Sequence, residues 1–428
     1  MKYIFCVILV FLFGFHSIGQ DRAYVHKTVG RLASPAFHGR GYFKGGDHKA
    51  ARFLAREMKK AGLLPLWDQY SQEYSFDVNT FPGNIHIKID KNRLFPGKDF
   101  VLHPAQSAIH ERYELIWLPD SITKTESIYL LIDTTDLAAK MVVIPEHLSR
   151  AYRDGLPGVP ALLHPEPDNL WWHVSTTQFE PGQVRLKVTS SKLPPDSRFI
   201  FIQAEPQLHH QRISNNIGGY VKGTHQPDSL ILFVAHYDHI GRMGPKALFA
   251  GASDNASGTA SVLDLARYYI RHPEKAYYTM VFLLVSGEEA GLLGSSHFVE
   301  HPPFSLDNIK FVINLDMVGT GSEGITIVNG KTIPQAFDLF DQLNQTYDFL
   351  PHIYARGRTC NSDHCPFDRM GVPAVFIYTM GKENRQYHNI YDTPNRLPFT
   401  KYEQLFGLLT HFVDNLSNIP RFTILTDE

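Results

Sequence analysis

The chain has 428 residues, and its 41 Lys and Arg nearly balance 43 Asp and Glu, for a formal net charge of −2. That balance carries no polyanion-binding signature and excludes nucleic acid as an expected partner. The length suits one large α/β domain with an insertion or a second small domain.

Residues 1–20 read as a signal peptide. Lys2 precedes an apolar run with Ile4, Phe5, Val7, Ile8, Leu9, Val10 and Phe13, too short to span a bilayer, and Ser17, Gly19 and Gln20 follow. Cleavage is expected near Gln20. Cys6 lies inside the apolar run and not at a cleavage site, which speaks against a lipid anchor. No later stretch is apolar enough for a span, so the expectation is an exported protein, periplasmic or extracellular, without stable membrane insertion.

Further along, Ala50 to Ala61 has helical spacing and stops at Gly62, as a helix covering the main domain would. Residues 81–206 turn rich in Pro, Thr, Ser and short β-type runs such as Tyr129-Leu-Leu-Ile and Met141-Val-Val-Ile, which predicts a β-rich inserted subdomain. The main domain is then built from residues 21–80 and 207–428. In the latter part strands and helices alternate. Strands are predicted at Leu230–Ala235, Thr279–Val285, Lys310–Leu315 and Ala374–Tyr378, with helices at Ser257–Tyr269, Ala290–Val299 and Gln335–Gln342. Continuous apolar strands of this kind are buried on both faces. The expected fold is therefore α/β, a three-layer α/β/α sandwich with a mostly parallel central sheet plus the small β-rich insertion.

Ligands of such sheets sit outside the carboxyl ends of the strands, and the polar residues of this chain collect there. His236 and Asp238 follow the first strand, Glu288 and Glu289 the second, Asp316 the third, and His388 sits in the loop after the last. Asp254 lies in the glycine-rich turn Gly251-Ala252-Ser253-Asp254-Asn255 before a helix. A lone His-x-Asp or Glu-Glu would read as a solvated or already hydrogen-bonded group; five such stretches at successive strand ends read as a site. Two close zinc ions need a shared carboxylate to offset their repulsion, and each also needs its own nitrogen and oxygen ligands. Two His and three carboxylates meet that need. Of the adjacent Glu288 and Glu289, one can bind metal while the other faces the attacking water as a base. Asp238 is placed to hold the other ring nitrogen of His236.

The five stretches, in this order and context, resemble the di-zinc aminopeptidases of metallopeptidase clan MH, the aminopeptidase Y and bacterial leucyl aminopeptidase type. The resemblance covers about Asp21 to Thr80 and Asn215 to the C-terminus. It implies a zinc-dependent exopeptidase with two zinc ions per chain and peptide substrates. It further implies that His236 and Asp316 complete one zinc site, that Glu289 and His388 complete the other, and that Asp254 bridges them. Glu288 would be the general base, Asp238 would orient His236, Tyr387 would stabilise the oxyanion, and the Asp254-Asn255 peptide would be cis. Competing expectations are a carboxypeptidase or dipeptidase of the same fold, a single-zinc glutaminyl cyclase, and a receptor-like binding protein that has lost its metal ligands.

Other residues are expected around the site. Ser362 and Asp363 are assigned to the pocket wall; His364 is the main competitor for a ligand role and His239 another, but His239 falls three residues after His236, beyond the strand end, and both are assigned to the surface or the surroundings of the metals. Arg356, Arg358, Phe367 and Met380 are candidates for the side-chain pocket, where an arginine would favour a substrate carboxylate. Cys360 and Cys365 are expected to pair and hold a loop, since export permits a disulfide.

Overall fold

In the computed structural model, which describes residues 20–123, 128–129, 136–152, 155–167 and 170–425, four strands form the centre of a nine-stranded sheet. They lie in the order Tyr278–Val285, Gln226–His236, Ile309–Leu315 and Ala374–Met380, all parallel. Tyr278–Val285 is buried at every position, as expected of a strand covered on both faces. Outside this centre the sheet is mixed, with Ile353–Ala355 adding parallel to Gly324–Val328 at one end. Gln207–Val221 runs antiparallel to Tyr278–Val285, Ser71–Thr80 and Leu64–Pro65 add antiparallel to it, and Gly324–Val328 lies antiparallel to Ala374–Met380. The sheet is therefore mixed and not mostly parallel: parallel neighbours need a crossover, as helix Pro334–Tyr347 provides between Gly324–Val328 and Ile353–Ala355, whereas Gln207–Val221 runs into Gln226–His236 without a helix.

Alternation of side chains splits the apolar residues of the central strands between two clusters. Ile231, Phe233 and Ala235 pack with Leu54 of helix Gly46–Ala61, Val262 and Leu265 of Gly258–Arg271, and Leu409 of Tyr402–Asn415. Leu230, Leu232 and Val234 pack with Phe298 of Leu293–Glu300 and Phe367 of His364–Arg369. This period of two is what a pleated strand with both faces covered must show. Among the described residues no helix is long and apolar enough to cross a membrane.

Residues 86–204 form a second, eight-stranded sheet. Its strands Ile109–Trp117, Lys140–Val143, Ala161–Glu166 and Val184–Thr189 run parallel, flanked by antiparallel pairs. Its core, with Ile87, Leu163, Leu186 and Ile200, continues without a break into Ile240, Met243 and Phe249 of the first unit. The second sheet is thus packed onto the loop that follows His236. Of the β-type run at Tyr129, residues 130–132 lie outside the described residues, as does the signal-like segment up to residue 19.

Candidate metal centre

Register brings the polar strand ends together. His236 pairs with Val285, so the Ser286-Gly287-Glu288-Glu289 turn leaves the sheet beside it. Val234 pairs with Asn314, and continuing two residues along each strand sets His236 level with Asp316. Asp254 arrives on the turn before helix Gly258–Arg271, through a cis Asp254-Asn255 peptide. Asn255 ties that turn down: its Nδ2 donates to the Leu315 carbonyl (2.9 Å), and its Oδ1 accepts the Gly258 N–H (2.8 Å). Gly251 adopts φ +62°, and a Cβ there would strike the Asp254 carbonyl and the His239 ring. Glycine is required by both shape and contact.

The side chains fall into two groups whose ligand atoms lie within 4.8 Å of one another: His236, Glu288 and Asp316, and His239, Asp254, Glu289 and His388. His236 Nε2 stands 3.4 Å from Asp316 Oδ1 and 3.3 Å from Asp254 Oδ1. His388 Nε2 stands 2.9 Å from Asp254 Oδ2 and 3.1 Å from Glu289 Oε2. The two oxygens of Asp254 thus face the two groups separately. Glu288 Oε2 keeps 4.0 Å from His236 Nε2, and its side chain retains 16% exposure.

Surrounding hydrogen bonds orient these groups. The Asn314 amide donates to Ser362 Oγ (2.7 Å), which donates to Asp316 Oδ2 (2.9 Å), so Oδ1 is left facing His236. Asp363 accepts from Ser295 Oγ (2.6 Å) behind the cluster. Asp238 lies under the centre. Its backbone carbonyl is 3.3 Å from His236 Nδ1 while its carboxylate is 3.7 Å away. That carboxylate accepts the Tyr42 hydroxyl (2.6 Å) and the N–H groups of Glu288 and Glu289 (3.4 Å each), so it holds the glutamate turn as well. Tyr387 stacks on the His388 ring with centroids 3.9 Å apart. Burial and the carboxylates of Asp254, Glu289, Glu288 and Asp316 raise its pKa, so it stays a hydroxyl donor.

The residues fit divalent metal. His236 Nε2 and Asp316 Oδ1 are buried, have no hydrogen-bond partner and point at one another. Buried donors and acceptors left in this way cost free energy unless something else satisfies them. Burial opposes the charged form of His236, yet Asp316 and Glu288 hold its pKa well above the usual value; for His388, Glu289 and Asp254 overcome burial in the same way. The cluster therefore demands positive charge. The two adjacent glutamates differ: burial raises Glu288 well above the carboxylate range, with Glu289, Asp363 and Asp316 adding to it, whereas His388 draws Glu289 down to about 2 against its burial.

Several contributors are not visible as motifs. His239 is fully buried, with Nδ1 2.7 Å from Glu289 Oε1, so it belongs to the second group and not to the surface. Asp392 accepts the N–H groups of Ser253 (2.9 Å) and Asp254 (3.1 Å) and so fixes the turn that carries Asp254. Arg40 is fully buried and donates to the carbonyls of Leu32, Tyr237, Ala250, Gly251 and Asp254. Replacing it by methionine would remove all five of these hydrogen bonds from the buried interior. Arg40→Met is expected to cost about 3 kcal/mol or more of stability, read as a lowered urea midpoint. His173, from the second sheet's unit, brings its Nδ1 within 3.2 Å of His388 Nδ1, and the neighbouring Trp172 N–H donates to the His388 carbonyl (3.0 Å). The only sequence signal for that segment is the adjacent pair Trp171-Trp172 in a chain with four tryptophans.

The remaining candidates lie elsewhere. His364 is buried, with Nε2 2.8 Å from the Thr359 carbonyl, and takes no part in the cluster. Arg356 is exposed, Arg358 pairs with Asp368 (3.1 Å), Phe367 is in the core against Phe298, and the Met380 sulfur accepts the Thr326 hydroxyl of the neighbouring strand. Cys360 and Cys365 are bonded, with Cα atoms 5.0 Å apart, and close the loop that leads into helix His364–Arg369.

Comparison with known proteins bears on the same segment. Residues 216–413 match Peptidase family M28. A probable leucine aminopeptidase of Arthroderma otae is 26% identical over 218 residues, 49% of this chain and 60% of that protein, and aminopeptidase YwaD of Bacillus subtilis is 28% identical over 211 residues, 46% and 44%. The chain thus spans about half the length of the curated relatives it matches. Two solved structures share the fold over 96% of this chain and 96% of their own. They are a peptidase M28 precursor from Shewanella amazonensis (TM-score 0.73, 15% identity) and a zinc aminopeptidase from Bacillus subtilis (0.68, 17%). His236, Asp254, Glu288, Glu289, Asp316 and His388 all lie inside the segment, residues 216–413, that matches Peptidase family M28.

Proposed function

We propose that the chain is an exported two-zinc aminopeptidase that removes N-terminal residues from peptides. The observation that carries this reading is the placement of Asp254, with one carboxylate oxygen 3.3 Å from His236 and the other 2.9 Å from His388. His236 and Asp316 would hold one zinc, Glu289 and His388 the other, and Asp254 both; His239 stands beside the second set. When bound, paired divalent metals polarise a peptide carbonyl and lower the pKa of water.

Glu288 takes a proton from the attacking water on its carboxylate and passes it to the leaving amine. Its greater distance from His236, its residual exposure and its raised pKa support the role of base, while the lowered pKa of Glu289 supports the role of anionic ligand. Asp238 holds the backbone of both, and the Tyr387 hydroxyl supplies a proton donor to developing negative charge. The three-layer reading of the fold belongs to the same proposal and rests on the two side-chain clusters that flank the central strands. Export is supported by the signal-like segment and by the Cys360–Cys365 bond, which suits an oxidising compartment.

The test is zinc content of the purified protein together with hydrolysis of matched free-amine and N-acetylated peptides. About two zinc ions per chain and cleavage of the free-amine set alone is the expected result. Equal cleavage of both sets, or none of either, would overturn the aminopeptidase reading.

A further inference from the structure

A cavity of about 500 Å³ opens beside Glu289, Ala290 and Gly291, and nearly all of its remaining wall comes from the second sheet's unit. Strand Phe100–Leu102 contributes Val101 and Leu102, strand Ala161–Glu166 contributes His164, and Val184–Thr189 contributes Arg185 and Lys187; Trp171, Trp172 and His173 complete the side nearest His388. Its charge is divided. The one carboxylate on the wall is Glu289, which faces the metal centre, and the cations are Arg185 and Lys187.

These cations are built in. Arg185 and Lys187 share one face of their strand, and that strand's other face, with Val184, Leu186 and Val188, is in the core. Arg185 is 8% exposed; its Nη1 is anchored on the Pro160 (2.7 Å) and Val184 (2.9 Å) carbonyls, while its Nε is buried without a partner. His164 pairs with Lys187 across the two strands, is 1% exposed, and its Nε2 also lacks a partner. Burial, with Lys187 and Arg185 beside it, pushes His164 down to about 4, so it stands there as a neutral ring. Lys187 has a counter-ion in Glu166 at 3.3 Å, on a site where both side chains remain about a quarter exposed. The Arg185 Nε edge lies against Gly155, so what the cavity meets is the rest of the guanidinium with the Lys187 ammonium beside it, and two such cations on one wall form a receptor for a carboxylate.

We propose that this cavity receives the part of a short peptide beyond the scissile bond, and that Arg185 and Lys187 bind a carboxylate carried there. The inference rests on the aminopeptidase reading for the direction of the peptide: the free amine and first residue lie at the metals, and the remainder runs along Trp171–His173 into the second unit. The carboxylate is either the C-terminus of a di- or tripeptide or an acidic side chain. Both sources present the same chemistry.

The experiment compares kcat/KM for a tripeptide acid, its C-terminal amide, and the amide carrying glutamate at the second or third position. At least one of the two carboxylate substrates is expected to exceed the plain amide by about tenfold or more, and whichever does so names the source. In Lys187→Met and Arg185→Gln that ratio is expected to fall toward one. Because Arg185 is buried, Lys187→Met keeps the test alive if Arg185→Gln does not fold. A second readout needs no catalysis: Trp171 and Trp172 line the cavity, so N-acetylated dipeptide acid and amide are titrated against the tryptophan fluorescence of metal-free protein. Tighter binding of the acid, lost in Lys187→Met, supports the subsite even where no peptide is cleaved and the aminopeptidase reading has failed. Equal affinity for acid and amide, with equal turnover wherever turnover occurs, overturns it.

Discussion

Glu288→Gln is expected to retain both metals while losing roughly 10²- to 10⁴-fold in kcat, the range for removing a positioned general base. Glutamine keeps the size and one carbonyl oxygen of the side chain but cannot take up a proton. The atoms facing His236 and His388 at 2.9–3.4 Å belong to Asp254, Glu289 and Asp316, and the substitution leaves all three in place. Glu288 stands off at 4.0 Å, in a site whose burial among Glu289, Asp363 and Asp316 favours its protonated form. Elemental analysis run beside steady-state kinetics checks the prediction. Loss of a metal equivalent would make Glu288 a ligand, and retained turnover would remove it from the proton path.

The opposite pattern is expected of Asp254→Asn. Asp254 is buried and anionic: although burial opposes its charge, His236 and His388 hold its pKa well below the usual value. The amide removes the negative charge that faces both histidines and that two bound cations would share, and turns an N–H₂ toward one of the two histidines, where a lone pair would be needed. Losing a partner one layer outside a metal already costs 10- to 100-fold in affinity, so losing the shared ligand is expected to cost at least about 100-fold at one position. Dialysis against a chelator followed by metal analysis should find fewer than two equivalents, and turnover should fall with occupancy. Wild-type metal retention in this variant would remove Asp254 as the bridge.

What could be read from the sequence followed from chemistry written in short range. The apolar runs at 230–235, 279–285, 310–315 and 374–378 are strands because their residues are buried on both faces, and the polar residues at their ends converge because parallel register sets the ends level. The antiparallel flanks were not legible, since Gln207–Val221 is a long strand of mixed burial with a register shift between His209 and Arg212 and no regular alternation. The same limit applies to the supporting residues. Arg40 lies 197 positions from one of its acceptors, and nothing about an arginine among glycines announces complete burial. His239 was discounted because it falls beyond the strand end; the backbone turns there, and the turn buries it against Glu289. The side-chain pocket is expected on loops near Arg356 and Arg358, whereas the cations lining the cavity beside Glu289 stand on a strand of the second sheet, where no motif marks them.

The segment Trp171-Trp172-His173 makes the second unit something other than a detachable cover. The Trp172 indole N–H is bonded to the Leu102 carbonyl on one side, its backbone N–H to the His388 carbonyl on the other, and the Trp171 ring meets Tyr387 edge to face. A force that pulls the two units apart is carried along this strand of contacts and arrives at His388. Any shift of Trp172 is therefore felt at the His388 backbone without an intervening residue.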